Sequence, residues 1–390
     1  MFDFKKELLD LEEKRLRRQL KTLESQQDSW FVVDGKRVLN LCSNNYLGLA
    51  NDKRIKKASI SAIKKYGCGS GASRLVCGNM ILHKELEEKI AKFKKTESAL
   101  VFNSGYTANL GIISALVGRG DVVFCDKLNH ASIIDAIILS RTELRRYPHK
   151  DSFTLEELIK KSENFNKKLI VTDSVFSMDG DIAALKDLIN LSKKYNCLLM
   201  IDEAHATGVL GKNGRGALEY LGLENEKENI IQMGTLSKAF GGFGAYVCGS
   251  KDLIEYLINK SRAFIYTTAL PPAVIAANIK ALEIVQSSKN LRIKLKKNIS
   301  FFKNGLKFLG FSVTDDETPI IPLIIGDAKL TMEFSKKLFK ERIFVQGIRP
   351  PTVPQGLARL RITLMATHTK KDLEFALAKI KKVAKELCLI

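Results

Sequence analysis

The sequence lacks any segment that we would expect to enter or cross a membrane. No stretch approaches the roughly 18 uninterrupted apolar residues that a membrane-spanning helix needs. The N-terminus, MFDFKKE, begins a charged helical pattern at once and contains no apolar signal-peptide core. We therefore expect a cytoplasmic protein without a membrane partner.

The sequence also lacks paired cysteines and the short motifs of several enzyme classes. Its seven cysteines are scattered and form no C-x-x-C pair, so we expect reduced thiols and no metal site. The motifs G-x-S-x-G, Walker A and H-E-x-x-H are missing, which argues against serine hydrolases, P-loop NTPases and zinc proteases. Residues 67–72 match the dinucleotide fingerprint G-x-G-x-x-A, but they follow a basic helical pattern instead of a strand, which disfavours a Rossmann fold.

Negative charge is scarce, since 63 Lys and Arg residues face 43 Asp and Glu residues for a net charge of +20. A surplus of this size is compatible with nucleic acid, with anionic small molecules or with a solubilising lysine-rich surface. The lysines are spread along the whole chain and aromatic residues are not interleaved with them. This pattern disfavours a nucleic-acid partner.

The length of 390 residues predicts two or more domains. Residues 4–24 show an amphipathic helical pattern and residues 30–41 a hairpin pattern. From about residue 98, apolar runs typical of buried strands alternate with helical patterns, which predicts an α/β fold with a mainly parallel central sheet covered by helices on both faces. A smaller C-terminal α+β domain follows. We predict boundaries at 1–45 for the N-terminal helix and hairpin, 46–288 for the large domain and 289–390 for the small domain.

Polar residues follow five successive apolar runs, at residues 103–109, 126–130, 173–181, 202–205 and 234–242. Ligands of such sheets bind beyond the carboxyl ends of the strands, so these residues predict a shared site. Asp202 ends an apolar strand, and Lys238 lies in a glycine-flanked turn one strand later. A half-buried lysine can lose its proton and react with carbonyls. A buried salt bridge between Asp202 and Lys238 is the alternative.

This inventory matches the needs of pyridoxal phosphate: a lysine for the aldehyde, an acid for the ring nitrogen and a phosphate cradle. The turn before Gly105 and Tyr106 begins a helix, where free N–H groups favour an anion. His130 is suited to stack on the ring, His205 to bond the ring hydroxyl and Thr235 to reach the phosphate. The remaining histidines, His83, His149 and His368, are expected to be surface or capping residues.

Near the C-terminus, Arg359 and Arg361 lie two residues apart in a predicted strand and therefore share one face. Paired arginines suit bidentate binding of a substrate carboxylate. A solvated strand edge explains the same spacing equally well.

Several motifs together resemble the α-oxoamine synthases, which are fold-type-I pyridoxal phosphate enzymes. The matching segments are NLCSNNYLGL at 40–49, LHKELE at 82–87, NHAS at 129–132, VFSMDGD at 175–181, DEAHATG at 202–208 and GTLSK at 234–238. The resemblance covers nearly the whole chain from about residue 30. It implies a homodimeric acyltransferase with a fold-type-I architecture.

The resemblance also implies individual roles at the cofactor. Lys238 would form the Schiff base, Asp202 would contact the pyridine nitrogen and His130 would stack on the ring. Further cofactor contacts would come from His205 and Ser177 near the ring hydroxyl, from Thr235 and the backbone of Gly105 and Tyr106 at the phosphate, and from Thr267 or Thr268 across the dimer interface. Substrate would be bound by Asn44, His130, Thr352 and Arg361, with a helix arginine, Arg18 or Arg17, at the acyl group.

Within the family, RPPTVP at 349–354 followed by ARLR at 358–361 favours the branch that condenses L-alanine with a pimeloyl thioester. The thioester carrier, coenzyme A or an acyl carrier protein, stays open. Two departures leave the expected cofactor chemistry unchanged but weigh against this choice of substrate: Glu203 stands where many of these synthases carry a second aspartate, and residues 242–245 resemble the 5-aminolevulinate branch. A branch that uses glycine and acetyl-CoA is the nearest alternative. A nucleic-acid-binding protein and a purely structural oligomer are the rivals from other classes.

Overall fold

The computed structural model describes residues 2–14 and 16–390. Its strands are β1 (Trp30–Val33), β2 (Lys36–Asn40), β3 (Ser98–Phe102), β4 (Val122–Asp126), β5 (Glu143–Tyr147), β6 (Lys168–Asp173), β7 (Leu198–Asp202), β8 (Ile230–Thr235), β9 (Ala245–Gly249), β10 (Ile320–Gly326), β11 (Ile343–Phe344), β12 (Gln346–Ile348) and β13 (Ala358–Thr363). Its α-helices are α1 (Phe4–Glu13), α2 (Lys53–Tyr66), α3 (Ile81–Lys94), α4 (Gly105–Leu116), α5 (Ala131–Ser140), α6 (Ser152–Lys160), α7 (Leu185–Lys194), α8 (Ala217–Tyr220), α9 (Lys251–Lys260), α10 (Arg262–Ile265), α11 (Pro272–Ser287), α12 (Lys289–Phe308), α13 (Ala328–Lys340) and α14 (Lys370–Glu386).

The central sheet has the strand order β3-β9-β8-β7-β6-β4-β5. Strand β9 runs antiparallel to both of its neighbours, and the pairs between β8 and β5 are parallel. The predicted mainly parallel sheet is therefore confirmed. The sequence analysis missed the edge strand β5, because its residues are largely charged and only Tyr147 is fully buried.

Helices cover both faces of this sheet, which explains the uninterrupted apolar runs. Along β6, Leu169 and Val171 pack into the same cluster as Ile112 of α4 and Ile137 of α5. The intervening Ile170 packs on the opposite face, in the cluster that contains residues of α7 and α11. Successive strand residues thus enter different cores, as the two-residue period of a strand requires.

Two smaller sheets complete the fold. Strands β10-β13-β12 form an antiparallel sheet, and β1-β2-β11 form another that contains the N-terminal hairpin. The adjacent short strands β11 and β12 belong to different sheets. The fold class predicted from the sequence is confirmed, and the proposed domain boundaries stay a prediction.

The helix expected over residues 4–24 is shorter, since α1 ends at Glu13. Leu23 instead forms an antiparallel bridge with Val33 and packs against the hairpin core. The main-chain N–H of Glu24 also donates to the carbonyl of Val32. Strand pairing and burial of Leu23 therefore prevail over helix propensity here. No helix in residues 2–14 and 16–390 is long and apolar enough to cross a membrane.

A buried ion pair fixes the residue that follows the end of β7. Lys94 Nζ lies 3.3 Å from Glu203 Oε2, and both side chains are at most 1% exposed. Glu203 also accepts hydrogen bonds from the N–H of Ala217 and from the Thr207 hydroxyl. The charge of Glu203, which stands where many similar synthases carry aspartate, is thus compensated by a lysine at the end of α3.

Replacing Lys94 by methionine should lower the free energy of unfolding by about 3–5 kcal/mol, because Glu203 is left buried without its cation. Lys84→Met is the matched control, since its partner Glu88 is 3.8 Å away and both side chains are exposed. That change should shift stability by about 0.5 kcal/mol or less. Urea unfolding of both variants checks the difference, and equal shifts would contradict a role for the buried pair.

Candidate active site

The carboxyl ends of the parallel strands bring the predicted polar clusters together at one edge of the sheet. Asp173 at the end of β6 lies directly opposite Asp202 at the end of β7, and Asp202 lies opposite Met233 near the end of β8. Both aspartates are 4% exposed. The shared edge expected from the sequence is therefore present in the structure.

Hydrogen bonds compensate the buried carboxylate of Asp202. Its Oδ2 accepts from Asn109 Nδ2 at 3.0 Å, and its Oδ1 accepts from the N–H of Ala204 at 2.9 Å. In the described part of the chain, no ion pair within 4 Å joins Asp202 to Lys238. The alternative of a buried salt bridge between these two residues is therefore wrong.

The amine of Lys238 lies beside a neutral partner. Its Nζ is 3.1 Å from His205 Nε2. Burial lowers the pKa of Lys238, while Asp202 and Asp173 oppose that shift. A lysine whose charged form is disfavoured in this way can supply a free amine to a carbonyl.

His205 connects this amine to the C-terminal sheet. Its Nδ1 is 2.7 Å from the hydroxyl of Tyr46, which donates to Asn44 Oδ1 at 3.1 Å. Asn44 Oδ1 also accepts from Arg361 Nη2 at 3.1 Å. Burial, followed by the charges of Lys238 and Arg361, holds the pKa of His205 well below its ordinary value. Tyr46 was missed as a site residue, because the sequence does not reveal that residues near 46 fold against His205.

His130 occupies the N-cap of α5 and is exposed. Its backbone N–H donates to Asp173 Oδ2 at 2.8 Å, and its Nδ1 lies 2.7 Å from Ser132 Oγ. The backbone is thus tied to the strand end while the ring face stays open. This arrangement suits a residue that stacks on a planar ligand.

The start of α4 offers an anion cradle next to the end of β8. Ser104 accepts through its hydroxyl from the N–H of Thr107 and through its carbonyl from that of Ala108. The N–H groups of Gly105 and Tyr106 have no partner among the described residues. A Cβ on Gly105 would lie 2.7 Å from the Thr235 methyl group, so only glycine allows this approach.

Thr267 and Thr268 lie beside this cradle through contacts within the same chain. The amide of Asn103 donates to Thr267 Oγ1 and to the Thr268 carbonyl, both at 2.9 Å. Asn103 directly precedes the Ser104 turn. Their contribution to a phosphate across a dimer interface stays a prediction.

The two C-terminal arginines are buried, because β13 is the middle strand of its sheet. The alternative of a solvated strand edge is therefore wrong. Arg359 Nη1 pairs with Asp179 Oδ1 at 2.5 Å. Arg361 Nε donates to the Ser177 carbonyl at 2.6 Å, and its Nη2 donates to Asn44 Oδ1. Since Arg359 already has a carboxylate, Arg361 is the better candidate for a substrate carboxylate.

Two predicted substrate contacts, Arg18 and Thr352, are exposed and make no hydrogen bond to the other predicted site residues among the described residues. Arg18 is exposed and lies beyond the end of α1, and Arg17 pairs with Glu12 at 2.5 Å. Neither arginine is therefore helical as expected, and their contact with the acyl substrate stays a prediction. Thr352 is also exposed, and its N–H donates to the Arg349 carbonyl.

His83 and His368 are buried, so the surface assignment was wrong, although both do cap a backbone N–H. The Nδ1 of His83 accepts from Met80, and that of His368 accepts from Met365. Burial lowers the pKa of each histidine to about 4.

His149 is a bridge between two carboxylates. Its Nδ1 lies 3.1 Å from Asp126 and its Nε2 lies 2.8 Å from Asp181. Burial alone would lower the pKa of His149, but its hydrogen bonds to Asp126 and Asp181 prevail and raise it to about 9. Asp181 ends the loop that carries Ser177, so this bridge holds one end of that loop in place.

Comparisons with known proteins agree with this geometry. The family model described as aminotransferase class I and II matches residues 36–380. The chain is 54% identical over 392 residues to the 8-amino-7-oxononanoate synthase of Citrifermentans bemidjiense, with 100% of both sequences covered.

Two solved structures are also similar. A high-resolution structure of SPT with PLP has a TM-score of 0.93 and 31% identity, and covers 99% of this chain and 98% of that one. The crystal structure of 8-amino-7-oxononanoate synthase from Francisella tularensis has a TM-score of 0.77 and 36% identity, and covers 90% and 98%.

The charged bridge of His149 should make stability depend on pH. Because its folded pKa of about 9 lies above the ordinary 6.5, the bridge stabilises fully below pH 6.5 and is lost as the pH rises through about 9. His149→Gln should therefore cost up to about 3 kcal/mol at pH 6 and much less at pH 10. His368→Gln is the control, since that histidine is neutral throughout this range. Urea unfolding across the range checks this, and a constant cost for His149→Gln would refute the bridge.

Proposed function

This chain belongs to the aminotransferase class I and II family, and from that premise we propose that it has 8-amino-7-oxononanoate synthase activity. The reaction condenses L-alanine with a pimeloyl thioester, releasing carbon dioxide and the free thiol, in biotin biosynthesis. The relatives with this activity in their names match the full length of the chain. The cofactor is pyridoxal phosphate.

One observation supports the proposal above the others: a lysine amine with a lowered pKa lies at the same strand edge as a fixed carboxylate and a free helix N-terminus. Lys238 would hold the aldehyde carbon and Asp202 the ring nitrogen. The N–H groups of Gly105 and Tyr106, with Thr235, would hold the phosphate. A side chain at position 105 would occupy the space between this turn and Thr235, so the glycine keeps that space open for the phosphate. When bound, pyridoxal phosphate stabilises negative charge on the substrate carbon.

Different side chains of this chain would bind the substrate, remove its proton and stabilise the developing charge. Arg361 binds the carboxylate of alanine, and Ser177 lies on the loop that Arg361 holds. Lys238 removes the proton from the alanine Cα. His130 donates a hydrogen bond to the thioester carbonyl oxygen as it gains charge, which is a large contribution in a site that excludes water. The alanine Cα then bonds to the carbonyl carbon of the thioester as the thiol leaves. Loss of carbon dioxide and return of a proton to Cα complete the reaction.

We also propose that the protein is a homodimer. Leu75 and Val76 are exposed apolar residues, at 54% and 78% exposure. They follow Ser73, which bridges to Thr268 beside the phosphate cradle. A second copy that covers this surface would bring its own residues close to the site.

Lys238→Ala should abolish covalent attachment of pyridoxal phosphate and lower turnover by more than about 100-fold, because base and attachment point are lost together. Borohydride reduction followed by peptide mass spectrometry measures the attachment directly. Lys251→Ala, at an exposed helix start, is the control and should retain both properties. A reduced pyridoxal phosphate adduct on a different lysine of the wild-type protein would contradict the assignment of Lys238.

The substrate assignment predicts that L-alanine and pimeloyl-CoA release thiol with kcat/KM at least about 10-fold above that for glycine and acetyl-CoA. Thiol release and product mass measure both pairs in parallel. Turnover of the glycine pair alone would indicate glycine C-acetyltransferase activity and leave the family unchanged. Thiol release from neither pair, with cofactor bound to Lys238, would refute the acyl transfer.

A further inference from the structure

We propose that Asn109 and Ser132 are positioning residues that fix the tautomer of His130, so that its proton is carried on Nε2 and faces the cleft. The benefit of that proton for catalysis rests on the proposed function. The tautomer itself follows from the hydrogen bonds of this chain alone.

The direction of the network is set at Asp202. Asn109 Nδ2 lies 3.0 Å from Asp202 Oδ2 and 2.8 Å from Ser132 Oγ. A carboxylate oxygen accepts from the amide, and the opposite amide orientation would place two oxygens in contact. The two hydrogens of Nδ2 therefore point to Asp202 and to Ser132. The Ser132 oxygen is thus an acceptor from Asn109.

The single hydrogen of the Ser132 hydroxyl must then point elsewhere. His130 Nδ1 lies 2.7 Å from Ser132 Oγ, and the backbone N–H of Ser132 also points at Nδ1, at 3.3 Å. Two donors converge on one ring nitrogen, so that nitrogen accepts. A neutral imidazole whose Nδ1 accepts carries its proton on Nε2.

Burial makes this network restrictive. Asn109 and Ser132 are each 1% exposed, so water does not compete for their hydrogen bonds. His130 is also tied at its backbone, where its N–H donates to Asp173. Although part of the residue is exposed, desolvation of the ring by neighbouring atoms lowers the pKa of His130, and Asp202 opposes this shift. The neutral ring with a protonated Nε2 is therefore the form that all of these contacts support.

Since His130 is exposed and its Nδ1 is occupied, a protonated Nε2 is a hydrogen-bond donor available to a ligand. Such a donor stabilises an oxygen that gains negative charge during carbon–carbon bond formation. The Asn109 amide holds Asp202 at the same time, so one side chain fixes both the carboxylate for the ring nitrogen and the donor for the acyl oxygen.

The experiment is ¹⁵N NMR of the holoenzyme labelled at its imidazole nitrogens. The protein has five histidines, and His130→Gln identifies the signals of His130. We expect His130 to show a protonated Nε2 and an accepting Nδ1 at neutral pH. A protonated Nδ1, or protons on both nitrogens, would overturn the proposal without any variant.

Ser132→Ala should leave His130 as a mixture of tautomers and lower kcat by about 10-fold or more, with less effect on KM for the amino acid. Ser132→Thr keeps the hydroxyl and should restore the wild-type tautomer. Ser140→Ala is the matched control, because Ser140 is on the same helix and donates only to the Ile137 carbonyl. An unchanged tautomer in Ser132→Ala would refute the role of Ser132. The tautomer is read without substrate, so failure of the alanine reaction would count against the proposed function alone.

Discussion

A carboxylate can stay buried only where donors replace the water that it loses, and the site is built around that requirement at Asp202. Asn109 and the N–H of Ala204 satisfy it, and the amine of Lys238 is left for another partner. The neighbouring Asp173 meets the same constraint differently. Burial, with the adjacent Asp202, raises its pKa well above the ordinary value. The raised pKa reflects the cost of a second negative charge beside Asp202 at this edge of the sheet.

The same desolvation acts on the cations and gives the site its chemistry. Burial disfavours the charged forms of Lys238 and His205, whose pKa values are both lowered. An anionic ligand therefore cannot rely on many free positive charges here. The N-terminus of α4 would supply fixed dipoles to the proposed phosphate instead, and these keep their orientation without a titrating group. The basic surface of the chain is a separate property from the electrostatics of its active site.

Much of this arrangement could be predicted from the sequence, because apolar runs identify strands and parallel strands share an edge. Asp202, Lys238, His130 and His205 follow from that logic. Asn109 lies in the predicted cluster at residues 103–109, but its hydrogen bonds to Ser132 and Asp202 do not follow from that logic. Tyr46 does not follow from it either, since it acts through a hydrogen bond to His205, which is far away in the sequence. The excess length predicted for α1 has a similar origin. Helical periodicity is local, whereas the bridge of Leu23 to the hairpin is a tertiary contact.

The loop after β6 links the parts of the site that bind different groups. Arg361 holds the Ser177 carbonyl, Arg359 holds the Asp179 carboxylate and His149 holds the carboxylate of Asp181. Two of these cations come from β13 and one follows β5, so the loop is clamped from opposite sides. The residue proposed to bind the substrate carboxylate, Arg361, thus also holds the loop that carries Ser177. A displacement of β13 would therefore move both the Arg361 guanidinium and the loop that carries Ser177.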